Sequence, residues 1–149
     1  MRYLLDTNAV IAMLRDASSR PALRVKQERA GDVAISAIVA HELFYGAFRS
    51  RRADHHVALV DALQFPVIEF DREDARQAGA IRAFLTARGR TIGPYDILIA
   101  GQSVARNLVL VTHNTGEFRR APGLRGLIWQ LSRPGNARYR SPSDLITHT

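Results

Sequence analysis

At 149 residues and 46% hydrophobic, the chain suits one ordinary domain with a sizeable core better than two independent ones. Its apolar runs fall well short of the roughly 18 residues that a membrane span needs. The formal charge of +7 rests almost wholly on arginine, with Lys26 the only lysine, so a polyanionic partner such as nucleic acid suits it; an arginine-biased coding sequence would give the same composition.

Arg2-Tyr3-Leu4-Leu5 is a short apolar run ended by Asp6-Thr7-Asn8, residue types that favour turns and caps. Asp6 and Asn8 interrupt the apolar start and no small-residue cleavage site follows, so it does not read as a signal peptide. Ala9 to Leu14 predicts a short helix, and Pro21 can stand in the first turn of a second one reaching about Ala30. Val33-Ala34-Ile35 predicts a buried strand, with Ser36 capping a helix that runs to about Ser50. Another helix is expected from Asp54 to about Leu63, and a third strand over Val67-Ile68-Glu69-Phe70.

Asp71 is placed to cap a long helix with Ala75, Ala78, Ile81, Ala83 and Leu85 among its small or apolar positions, and Gly89 marks the turn after it. The next helix begins near Pro94 or Asp96 and ends by Asn107. Leu108 to Val111 is the clearest strand, and Leu127-Ile128-Trp129 a final short one. Short apolar strands separated by helices predict an α/β domain over residues 1–131 with a small, mainly parallel sheet. Residues 132–149 turn to serine, proline, glycine and arginine, the composition of a loose basic extension.

With no cysteine, the chain has neither disulfide nor thiolate chemistry, which fits a cytoplasmic protein. Asp6 follows the first strand, where an open parallel sheet gathers ligands, but it also reads as a cap; Thr7 and Asn8 can cap or can hydrogen-bond a carboxylate. Glu42 lies near the helix face expected to pack on the sheet, and a buried carboxylate there needs a cation, a proton or a metal. Asp96 suits a helix start electrostatically and equally suits a ligand held rigidly by Ile97-Leu98-Ile99-Ala100.

Beyond the fourth strand, Thr112, Asn114 and Glu117 bring a hydroxyl, an amide and a carboxylate together, though Glu117 also reads as a loop charge. Several carboxylates gathered at one sheet edge repel one another, and Mg²⁺ or Mn²⁺ relieves that conflict with oxygen ligands. The histidines show no zinc spacing; His113 stands near the acidic loop, where it can touch a phosphate. No P-loop or dinucleotide fingerprint is present. Arg49, Arg51 and Arg52 form the densest basic patch, a candidate RNA contact or simply a solvated surface.

YLLDTNAVI at 3–11, ISAIVAHELFYG at 35–46, IGPYDILIAGQSVARNLVLVTHNTGEF at 92–118 and PGLRGLIW at 122–129 together resemble a VapC-type toxin of the PIN-domain ribonuclease family. The resemblance implies a three-layer α/β/α fold and a Mg²⁺- or Mn²⁺-dependent endoribonuclease, the toxin of a type II toxin–antitoxin pair. Asp6, Glu42 and Asp96 match the three principal acidic positions of that family, Thr112 its orienting polar residue, and Glu117 its additional acid. Asn114 departs from the aspartate common there, which leaves the number of metal ions open.

The same resemblance implies a homodimer, a VapB-type antitoxin as partner, and structured RNA such as tRNA as substrate. The segments IGPYD and THNTGEF point to initiator tRNA within that class. A catalytically inactive RNA- or antitoxin-binding regulator, a structural partner module and a DNA nuclease are the rival readings.

Overall fold

The computed structural model describes residues 1–124 and 128–130, so the predicted extension at 132–149 lies outside the described residues. In chain order the elements are β1 (Tyr3–Leu5), α1 (Thr7–Arg15), α2 (Arg20–Val25), β2 (Val33–Ser36), α3 (Ala37–Arg49) and α4 (Ala53–Asp61). They are followed by β3 (Val67–Ile68), α5 (Arg72–Ala87), α6 (Pro94–Arg106), β4 (Val109–Thr112), α7 (Thr115–Phe118) and β5 (Ile128–Gln130).

The five strands form one sheet in the order β3-β2-β1-β4-β5, with every neighbouring pair parallel. Central parallel strands are covered on both faces and so read as unbroken apolar runs. Leu4 and Leu5 of β1, Ala34 of β2, and Leu110 and Val111 of β4 are all sealed from solvent. The chain runs one way across the sheet from β1 to β3, carrying α1 to α4, and returns to β4 with α5 and α6, so the right-handed crossover rule assigns the two sets to opposite faces. The helix contacts agree: α1 packs on α2 and α3, α3 on α4, and α5 along α6. Among the described residues no helix is long and apolar enough to cross a membrane.

Four expectations need correction, each for a specific reason. The second helix stops at Val25, and the chain continues in tight turns closed by Gln27 N–H to Arg24 and Glu28 N–H to Val25. β3 ends at Ile68 because the Glu69 carbonyl is taken by side chains, Gln102 Nε2 at 3.0 Å and Arg106 Nη2 at 2.9 Å. β4 starts one residue late: Asn107 is left-handed (φ 52°) and the Leu108 N–H closes α6 by donating to Ser103. Thr112 is thereby drawn into the strand. Finally, Thr115–Phe118, read as a loop, is a single helical turn whose Phe118 is buried.

The α5–α6 pair sets the position of everything that follows on α6. Asp71 caps α5 as expected, and the structure adds a reciprocal capping box with Asp74. The Asp74 carboxylate, 1% exposed, also accepts from Gln102 Nε2 at 2.9 Å and from Arg106 Nε and Nη2 at 3.1 and 3.0 Å. Burial acts to raise its pKa, but the bonds from Arg106, the Asp71 N–H and Gln102 outweigh it and hold the group below its ordinary value. Asp74→Ala removes the charge-assisted bonds from Arg106, the bond from Gln102 and one half of the capping box at once, leaving those two side chains the Glu69 carbonyl, a loss on the order of 3 kcal/mol. In thermal unfolding at neutral pH this variant melts about 10 °C below the wild type.

Candidate active site

Open parallel sheets bind ligands beyond the carboxyl ends of their strands, where the strand order reverses. Here that point is β1, with Leu5 paired to Ile35 on one side and Val111 on the other. The chain leaves β1 at Asp6, whose N–H reaches the Val111 carbonyl at 3.2 Å. Asp6 is buried and serves as the N-cap of α1, Oδ1 accepting from the Ala9 N–H at 2.8 Å. Its Oδ2 accepts from the Thr112 hydroxyl at the end of β4. The cap and the site residue are therefore the same carboxylate. Burial pushes Asp6 up to about 6; the Thr112 and Ala9 hydrogen bonds oppose this, and the charge of Glu42 adds to it.

Glu42 comes from α3, whose buried side is Val39, Leu43 and Ala47. It stands half-buried beside that side rather than on it, accepting from the Thr7 hydroxyl at 3.0 Å. Burial raises its pKa, while the Thr7 bond and the neighbouring His41 lower it. Asp96 is the third residue of α6, after an N-cap at Gly93. A Cβ at Gly93 would lie 3.3 Å from Asp96 Oδ2, so the glycine leaves room for the carboxylate to fold back over the helix start.

Burial, then the charges of Asp6, Glu117 and Glu42, push Asp96 up to about 7, and hydrogen bonding with Glu117 adds to the shift. Four acids distant in sequence thus share one electrostatic neighbourhood. The turn of α7 ties in the last of them. Asn114 donates from its backbone to Thr112 Oγ1 at 2.9 Å and from Nδ2 to Glu117 Oε2 at 2.9 Å. A chain of contacts therefore runs from Asp6 through Thr112 and Asn114 to Glu117 and Asp96.

These are hard oxygen donors under mutual repulsion, the donor chemistry that Mg²⁺ or Mn²⁺ satisfies. Among the described residues no three acidic or histidine side chains already stand as a ready cage. The hydrogen bonds say why: Asp6, Glu42 and Glu117 are each turned to a neighbour, Thr112, Thr7 and Asn114. The donor set fits a hard divalent cation, and filling it requires these side chains to turn inward.

The remaining expected residues are dispersed. Asn8 is half-buried in the first turn of α1. Arg49, Arg51 and Arg52 are exposed at and after the end of α3, and His113 is half-buried, its pKa lowered by burial. Two residues outside the expected set stand at the rim. His41 and Tyr95, each one position before an acid, bring their rings within 5.1 Å of each other. The sequence signal was there, an aromatic side chain directly preceding a site carboxylate on two different helices.

The raised carboxylates have a consequence for stability. Between the ordinary carboxylate range and pH 6 to 7, the folded chain binds protons that the unfolded chain releases. The resulting stabilisation is full below about pH 4 and is lost as pH rises through 6 and 7. In chelator, the double variant Asp6→Asn/Asp96→Asn is therefore expected to melt above the wild type at pH 8, with the gap closing by about pH 4. Paired thermal melts across that range check the sign.

A sequence profile described as the PIN domain matches residues 3–124. The chain belongs to the PIN-domain family. Within that family it is of the VapC type. It is 36% identical over 133 residues to the tRNA(fMet)-specific endonuclease VapC of Shigella flexneri, covering 87% of this chain and 98% of that one. Ribonuclease VapC2 of Rickettsia felis is 34% identical over 127 residues, 83% of this chain and 95% of its own.

Among solved structures, DNA-bound VapBC from Salmonella typhimurium superposes with a TM-score of 0.82 at 34% identity, over 89% of this chain and 99% of that one. The all-parallel sheet of this VapC-type PIN domain is the arrangement that the resemblance implied.

Proposed function

We propose that this VapC-type PIN domain is a divalent-metal-dependent endoribonuclease acting as the toxin of a type II toxin–antitoxin pair. The observation that carries the reading is the coupling of Asp6, Glu42 and Glu117 to Asp96, which leaves at the switch point a cluster of negative charge in need of a cation. Asp6, Glu42 and Asp96 would hold Mg²⁺ or Mn²⁺, with Glu117 and Asn114 in support. When bound, such an ion activates water and offsets charge on a phosphoryl oxygen.

The chain's own residues do the positioning. Thr112 and the Ala9 N–H orient the two Asp6 oxygens, Thr7 orients Glu42, and Asn114 orients Glu117. The arginines Arg49, Arg51 and Arg52 attract the RNA backbone, with His113 at the edge of the acidic loop. Relatives named as tRNA(fMet)-specific endonucleases support tRNA as the substrate class. Solved VapBC structures support a VapB-type antitoxin as the inhibitor. The family likeness supports a homodimer, and the basic composition of residues 132–149, which lie outside that likeness, suits contact with RNA or antitoxin.

The test is cleavage of total tRNA by the purified chain, beside a DNA of matched sequence. Cuts are expected with Mg²⁺ or Mn²⁺, none in EDTA, and none in the DNA. The same ions raise the melting temperature by several degrees, as a ligand well above its Kd does. RNA binding without cutting in any metal would favour the inactive regulator instead.

A further inference from the structure

Two exposed aromatic side chains stand on the helices that carry Asp96 and Glu42: Tyr95 is 46% exposed and Tyr45 58%. Both are organised. Tyr95 packs its ring against exposed His41 at 5.1 Å with a 58° tilt, joining the first turn of α6 to α3. One helical turn further along α3, Tyr45 accepts a hydrogen bond from Arg49 Nη1 at 3.2 Å, and the guanidinium lies 5.4 Å from the ring centroid. His41, Tyr45 and Arg49 are spaced four residues apart, so they lie along one face of the helix.

We propose that the Tyr95–His41 pair is a stacking platform for an unpaired base of single-stranded RNA, which Tyr45 and Arg49 extend along α3. The proposal rests on the RNA-hydrolysing reading above and names how that site takes its substrate.

The chemistry favours a base there over a phosphate. Glu42 and Asp96 engage a phosphate only through the cation they would hold, and that ion takes the scissile one; the rings beside them offer the face on which an uncharged base stacks. Two turns along α3 from His41 the rings give way to Arg49, followed by the exposed Arg51 and Arg52. The track thus changes from stacking to charge as it leaves the acids. RNA is favoured over a protein partner by the overall charge of +7 and by the polar edges of the platform, a phenol and an imidazole, which suit base edges.

The test uses the full chain carrying Asp6→Asn, so that RNA survives, and a short single-stranded oligoribonucleotide containing 2-aminopurine, whose fluorescence falls on stacking. Adding Tyr95→Ala or Tyr95→Leu is expected to weaken binding roughly tenfold and to abolish the quenching, whereas Tyr95→Phe stays within about twofold. Equal binding by the leucine and phenylalanine variants would overturn the platform, because an apolar contact would then suffice. So would unchanged RNA binding by Tyr95→Ala together with lost affinity for the antitoxin, which would make this a protein-docking face.

Activity separates the two ideas. A wild type that quenches the probe but never cuts RNA keeps the platform and removes the nuclease reading. A wild type that cuts, beside a Tyr95→Ala variant with unchanged KM, does the reverse.

Discussion

Asp96→Asn and Asp6→Asn each lower RNA cleavage on the order of a thousandfold while leaving the chain folded. The size follows from what is removed, one carboxylate of a cluster that holds several kcal/mol of transition-state stabilisation through its cation. The persistence of the fold follows from local chemistry. Asparagine caps helices as well as aspartate does, so the 2.8 Å bond from the Ala9 N–H survives Asp6→Asn. The Thr112 hydroxyl can turn to accept where it formerly donated.

Asp96→Asn removes a charge at the start of α6, but burial and three other acids already disfavour that charge. Both variants should therefore melt at or above the wild-type temperature at pH 8, and single-turnover cleavage of tRNA measures the activity. A well-folded variant of either kind that still cuts in a metal-dependent way would remove the acidic cluster from the mechanism.

Gly101→Ala is expected to destabilise the protein by about 2 kcal/mol, with Gly101→Leu failing to fold. A Cβ on Gly101 would lie 2.5 Å from Ala78 N and 2.6 Å from its Cα and Cβ, and backbone cannot yield as a flexible side chain can. Alanine has the better helix propensity by about 1 kcal/mol, so a net loss isolates the cost of forcing α5 and α6 apart. Gly79→Ala on α5 is the internal control. Nothing lies within 4 Å of its added Cβ, so this variant should gain up to about 1 kcal/mol. Denaturant unfolding of the pair gives opposite signs. Gly101 also lies five residues beyond Asp96 on α6, so Gly101→Ala should depress cleavage beyond its effect on stability.

Much of the architecture is legible along the chain because its cues are local. The run Leu4-Leu5, the Asp71 cap and the serine before α3 act within a few residues of themselves. Boundaries failed where distant groups intervened. The Glu69 carbonyl would have extended β3, but side chains from α6, more than 30 residues away, claim it. Single-turn α7 carries too little periodicity to be read, and its position follows from the burial of Phe118.

The sequence by itself determined the elements, the basic charge and the identity of the acids, because propensity, capping and apolar patterning are short-range properties. Whether Asp6 was a cap or a site residue stayed open at that level, as it did for Asp96. Only the tertiary structure decided that Asp6, Glu42, Asp96 and Glu117 share one field, since parallel pairing of β1 with β2 and β4 is what draws their loops to one edge. It alone also placed Tyr95 against His41, a contact between helices that no local pattern encodes. Carboxylate repulsion and ring stacking act through space over a few ångströms, and that proximity exists only once the sheet has closed.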